Sequence, residues 1–155
     1  MITGKKNSEA IIPVVATRLT RAQFQALIPH SGPMCLIDSV ESWDEHSIVC
    51  LSGTHSNPSN PLRSNGELSS MHLIEYGAQA MAIHAGLLHS SAARGVLAAL
   101  RNVRLYVDCA EHLSDQIQIT AIVEAISDPV AVYNFEVSEL GGPVLVEARA
   151  TVINQ

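Results

Sequence analysis

Aromatic side chains are scarce in this sequence: one Trp, three Tyr and two Phe among 155 residues. Any core must therefore be assembled from Val, Ile, Leu and Ala. Charge is thin as well, at 15% of residues, and nine Lys and Arg against 15 Asp and Glu give a formal net charge of −6. That balance argues against a general nucleic-acid binder, which presents a basic face. The cysteines Cys35, Cys50 and Cys109 are odd in number and widely spaced, and no CxxC pair is present. This excludes a disulfide framework or a zinc ribbon and fits a reducing compartment. Lys5 and Lys6 are followed by no long apolar region, so no secretory signal is expected. The least polar stretch, residues 71–88, is interrupted by His72, Glu75, Gln79 and His84, which rules out a membrane span. The expectation is a cytoplasmic protein.

What is present is a chain that is 47% hydrophobic, enough for a sizeable core. Its length suggests one domain over residues 1–155, with residues 1–18 as a loosely held arm. "LTRAQFQALI" reads as a short helix capped by Thr20, with Phe24, Leu27 and Ile28 on one side and Pro29 closing it. Two β-rich runs, "MCLIDSVESW" and "SIVCLSG", flank a hairpin turn at Asp44-Glu45-His46. "SSMHLIEYGAQAMAIHAGLLHSS" is one long helix, capped by Ser69 or Ser70 and apolar on almost every side. Such a helix is buried. After Gly95 the period becomes two: Ile117, Ile119, Ala121, Val123 and Ala125 share one face, as do Tyr133, Phe135 and Val137. Val144, Val146, Ala148, Ala150 and Val152 form another such set, and Gly141-Gly142 supplies the hairpin before them. The fold class is α+β, with antiparallel strands and the long helix on one face of their sheet.

Chemistry centres on that helix and the loop before it. Glu75 and Gln79, four apart, are neighbours on one face. Burying Glu75 ionised on so apolar a helix is costly, which favours its protonated form. The alternative is a carboxylate at the exposed edge of the first turn, where the helix dipole favours negative charge. His55 opens the polar loop "GTHSNPSNPLRSNG", which either leaves its imidazole solvated or holds it for proton transfer. His30 sits at a helix-to-strand turn and reads as structural. No metal-ligand cluster of recognised spacing is present, and no metal or cofactor is expected.

The segment "LIPHSGPMCLIDSV" resembles the opening of the FabA/FabZ-type 3-hydroxyacyl-carrier-protein dehydratases, and "LIEYGAQAM" resembles their central-helix signature. "THSNPSNPLRSNG" is similar to the branch associated with aryl polyene and related fatty-acid-like pathways. The resemblance runs from about Leu19 to Ile153. It implies a hotdog fold, in which an antiparallel sheet wraps a central helix. It implies dehydration of 3-hydroxyacyl thioesters borne by an acyl carrier protein, with His55 as base, Glu75 as acid and Gln79 as the acid's partner. His55 stands 20 residues before Glu75, a longer spacing than the family's usual one, and the family's Gly-His-Phe-Pro-Gly context is absent. The N–H groups of Ser70 and Met71 are candidates for stabilising charge on the thioester oxygen. Arg94, Arg101 and Arg104 are candidates for docking an acidic carrier protein. In the family, two hotdog subunits pair and histidine and acid meet across the interface. This implies a homodimer or a hetero-oligomer with a second hotdog dehydratase, and places His55 against the neighbour's helix. A hotdog thioesterase and a non-catalytic partner of an active dehydratase are the competing readings.

Overall fold

The computed structural model describes residues 18–92, 94–110 and 113–155. The expected N-terminal arm lies outside these, except for Arg18, which pairs with Glu41 at 3.0 Å. Two helices and seven strands follow in chain order: β1 (Leu19–Thr20), α1 (Arg21–Phe24), β2 (Ser39–Trp43), β3 (Ser47–Ser52), α2 (Leu73–His89), β4 (Gly95–Leu105), β5 (Ile117–Ser127), β6 (Val130–Glu139) and β7 (Val144–Asn154). The strands make one antiparallel sheet in the order β1-β2-β3-β5-β6-β7-β4. The sheet wraps α2, and this is the expected α+β hotdog architecture.

Helix α2 is buried because its surface is apolar nearly all round: each residue from Leu73 to Leu88 is buried or half-buried. Its start is fixed by Ser69, whose hydroxyl accepts from the Met71 N–H at 3.3 Å and caps a 3₁₀ turn over Ser70–His72. Its end is Ser90, in the left-handed conformation. Gly77 lies where the sheet comes closest, and a Cβ there would overlap the Phe135 ring. The core joins α2 to the inner faces of β5, β6 and β7 through Ile117, Ile119, Tyr133, Phe135, Val137 and Val146.

Two local expectations are corrected. The first helix is shorter than "LTRAQFQALI" suggested: after Phe24 the chain tightens into a 3₁₀ turn over Gln25–Leu27, and Ile28 is already extended ahead of Pro29. On β5 the inward alternation stops at Val123, because a bulge between Val123 and Ala125 leaves Ala125 exposed. The β2–β3 turn forms as expected. The Asp44 carboxylate accepts from the His46 and Ser47 N–H groups, both at 2.8 Å. Strand β4 pairs only with β7 and closes the sheet as an edge. Val96, Val103 and Leu105 stand exposed along it.

Candidate active site

One face of α2 carries a stripe of small or half-buried residues. Glu75, Ala78, Ala82 and Ala85, spaced three, four and three apart, lie on one helical face. They floor a cavity of about 220 Å³ whose other walls include Pro29, His30, Leu97, Tyr133 and Val152. The stripe is about 15 Å long at 1.5 Å per residue. Alanines keep it open; larger side chains would fill it.

At the Glu75 end, His30 Nε2 lies 3.1 Å from Glu75 Oε1, with the two side chains 30% and 35% exposed. The segment carrying His30 is held on the helix by Gln79, which is fully buried. The Gln79 amide nitrogen donates to the Met34 carbonyl at 2.7 Å, and its oxygen accepts from the Leu36 N–H at 2.8 Å. The same nitrogen lies 3.4 Å from Glu75 Oε1. Glu75, Gln79 and His30 thus form one connected group. Glu75 itself is at the rim of the cavity and a third exposed, the second of the two placements its sequence position allowed.

His55 is placed elsewhere. It lies in a 3₁₀ turn over Thr54–Ser56, fully buried, with Nε2–H donating to the Ser114 carbonyl at 2.8 Å. Its Nδ1 is buried without a hydrogen-bond partner. The polar loop is largely bonded to itself. Arg63 donates to the carbonyls of Asn57, Gly66 and His55 at 2.8–2.9 Å. Asn60 donates to the Thr54 carbonyl at 2.9 Å and to the Tyr76 hydroxyl at 3.0 Å. The loop therefore docks on the Tyr76 side of α2, whereas Glu75 faces the cavity. Within the chain it is His30 that lies against Glu75. The base expected from the sequence, His55, was to meet the acid across a subunit interface, and within one chain those two do not meet. The signal for His30 was its Pro-His context, read as structural because a loop residue's distant partner is not visible in a pattern.

The other expected groups are also located. The Ser70 N–H donates to the Asp108 carbonyl at 3.0 Å, and the Met71 N–H is taken by the Ser69 hydroxyl. Both donors are spent within the chain, so neither is available to a thioester oxygen as the chain stands. Arg101 and Arg104 lie near one another on β4, and Arg104 pairs with Glu147 at 3.5 Å. Arg94 precedes the other end of that strand, roughly 24 Å from Arg101 at 3.4 Å per residue. The three arginines are not one patch. Cys35 and Cys50 are buried core residues, and burial pushes both thiols up, far from a reactive thiolate. Among the described residues no cluster of three or more His, Cys, Asp or Glu is arranged to hold a metal, and no helix is long and apolar enough to cross a membrane.

Comparison with solved structures returns the same fold. The dehydratase heterocomplex ApeI:P from Xenorhabdus doucetiae aligns with a TM-score of 0.74 at 22% identity, over 85% of this chain and 90% of that one. The Escherichia coli PaaI protein from the phenylacetic acid degradation operon aligns with a TM-score of 0.56 at 16% identity, over 75% of this chain and 78% of that one. A hypothetical thioesterase from Streptococcus pneumoniae, solved with coenzyme A, aligns at 0.54 and 16%, over 75% and 84%. No curated protein matches in sequence. The model of the ApeP-like family, described as ApeP dehydratase, matches residues 22–155 and so takes in the whole Pro29–His30 turn, α2 and the cavity walls. The chain belongs to the ApeP-like dehydratase family.

Proposed function

We propose that the protein removes water from 3-hydroxyacyl thioesters carried on an acyl carrier protein, with His30 and Glu75 as the acid–base pair. The observation that carries this reading is the 3.1 Å contact between His30 Nε2 and Glu75 Oε1 at one end of an apolar cavity. Elimination needs a base for the C2 proton and an acid for the departing hydroxyl. The elimination requires one proton shared between the two members. His30, neutral, takes the C2 proton while Glu75, protonated, gives its own to the hydroxyl, which leaves as water. The C2–H electrons become the new double bond, and the C3–O bond breaks. His30 then returns the proton to Glu75 along their contact, restoring the starting state. The alanine-lined cavity suits an acyl chain, whose burial stabilises binding by the area it removes from water.

The likeness to a chain of the ApeI:P dehydratase heterocomplex supports assembly with a second hotdog chain. The fitting surface is the β4 edge, which pairs with β7 alone and exposes Val96, Val103 and Leu105. Arg101 and Arg104 lie toward the end of β4 that leads back to α2's first turn, through the Ser69–Cys109 bridge. That end is the one where a carrier protein delivers its thioester to Glu75.

The test is to incubate the protein, alone and with a second hotdog subunit, with 3-hydroxyacyl carrier protein and follow the acyl mass. Loss of one water that disappears in Glu75→Gln supports the reading. Release of free carrier thiol instead identifies a thioesterase. No change in either mixture overturns the catalytic role of this chain.

A further inference from the structure

The cavity does not stay apolar to its end. Its Glu75 end carries the reactive pair, and its middle is alanine and aliphatic side chains. Near Ala85 it is lined by two polar residues, Tyr133 and Asn154.

Their hydrogen-bonding state can be worked out. His84 Nε2 lies 2.7 Å from the Asp44 carbonyl oxygen, which only accepts, so Nε2 carries the proton. Burial holds the His84 imidazole in its neutral form, so Nδ1 is an acceptor. The Tyr133 hydroxyl, 3.0 Å from Nδ1, must therefore be the donor. Its proton is committed, and it has only lone pairs left to offer. Asn154 Oδ1 is buried with no hydrogen-bond partner. Buried acceptors are normally paired, because an unpaired one loses its water bonds and regains nothing. At this end Tyr133 thus offers only lone pairs, and Asn154 Oδ1 is an acceptor in want of a donor.

Gly95 lets the β4 backbone run close beside them. It faces Asn154 across the β4–β7 ladder. A Cβ at position 95 would lie 2.9 Å from Val152 Cγ1 and 3.4 Å from Asn154 Oδ1, in the gap that both line with the cavity.

We propose that this end of the cavity recognises a hydrogen-bond donor at the far end of the bound acyl chain, and that Asn154 reads it. The ligand class is an unbranched acyl thioester ending in a hydroxyl. A cavity of about 220 Å³ that follows the stripe of about 15 Å from Glu75 to Ala85 suits a medium-length chain. The proposal rests on the acyl-thioester reading of the site but not on the elimination itself.

The test measures binding, not turnover. Decanoyl and ω-hydroxydecanoyl pantetheine amides, neither carrying a 3-hydroxyl, are titrated calorimetrically into the native protein, Asn154→Leu and Gly95→Ala, each checked for folding by thermal melting. The expected result is a preference of the native protein for the hydroxylated chain that falls by about two- to tenfold in Asn154→Leu, the worth of one hydrogen bond. Gly95→Ala, which keeps the Asn154 side chain but sets a methyl 3.4 Å from its oxygen at the cost of a shift at Val152, narrows the preference as well. An affinity ratio that is the same in all three proteins, or no binding of either amide, overturns the proposal. Absence of water loss in the dehydration assay with this ratio intact would remove the elimination reading and leave this one standing.

Discussion

His30 Nε2 and Glu75 Oε1 are 3.1 Å apart, and a second attachment one turn further along α2 holds them there. Gln79 grips the backbone at Met34 and Leu36, on the far side of the Gly32–Met34 turn from His30. The loop is thus tied to the helix at both ends of its short 3₁₀ turn. An acid–base pair held this way, as proposed for His30 and Glu75, keeps its geometry without a bound ligand, which is where positioning contributes to rate.

The two histidines separate cleanly by experiment. His30→Gln is expected to lower the rate of water loss by about a hundred- to ten-thousandfold, the range for a lost general base. Its melting temperature should change little, because the side chain is partly exposed. His55→Gln should do the reverse, since it disturbs a fully buried ring bonded to the Ser114 carbonyl. Rate and melting temperature measured side by side decide the matter. A His55→Gln protein of unchanged stability and no turnover would return the base to His55.

Gln79→Leu leaves the Leu36 N–H and the Met34 carbonyl without their partner. Each buried unpaired group costs about 1–3 kcal/mol, so a total of roughly 2–4 kcal/mol is expected after partial relaxation. For a chain of this size that corresponds to a fall in melting temperature of roughly 5–15 °C. Turnover should fall too, because His30 loses its second tether. A Gln79→Leu protein that melts with the native one would show that these bonds contribute nothing net.

What the sequence disclosed and what it withheld divide along the range of the interactions. The Ser69 cap, the alternation of Tyr133, Phe135 and Val137, and the hairpin at Gly141, where φ is +71°, are local and were readable. So was the shared face of Glu75 and Gln79, since helical spacing alone places it. The partner of Glu75 was not readable. It depends on where the Pro29–His30 turn is pulled by Gln79, a contact between distant segments. The same holds for Ser70, whose N–H is claimed by Asp108 from beyond β4. The arginines looked clustered because they are close in number, but an extended strand spreads neighbours far faster than a helix does.

Gly77 offers a test of packing against propensity. Alanine at an interior helical position is favoured over glycine by about 1 kcal/mol. Here the added methyl would overlap the Phe135 ring, packed between α2 and β6. Overpacking a tight core costs typically about 1–3 kcal/mol. Gly77→Ala is therefore expected to lower stability in urea unfolding, and a gain in stability would show that Phe135 moves aside at no cost.

The β4 edge predicts an assembly defect. Val103→Lys with Leu105→Glu places charges on exposed apolar positions of a strand that has a partner on one side only. Association with a second hotdog chain, or with another copy, should weaken by size-exclusion chromatography while the far-ultraviolet circular dichroism is unchanged. Unaltered association would move the interface to another face.

His84 gives the fold a defined response to acid. Burial lowers the affinity of its imidazole for a proton, against the opposing pull of the Asp44 carbonyl, with His46 nearby adding to the lowering. In the unfolded chain the same ring titrates near its ordinary value of about 6.5. Below that pH the unfolded state binds the proton first, so stability is complete above it and declines as pH falls toward the lowered native value. Asp44 does not confuse this window, because its own carboxyl is held below the ordinary carboxylate range by the His46 and Ser47 bonds. Unfolding free energy measured in urea from about pH 7 to about pH 5 should therefore fall more steeply for the native protein than for His84→Gln. The variant will be less stable at neutral pH, since Tyr133 and the Asp44 carbonyl lose their shared partner. The slope, not the intercept, carries the test: parallel lines would mean that His84 binds its proton equally well folded and unfolded.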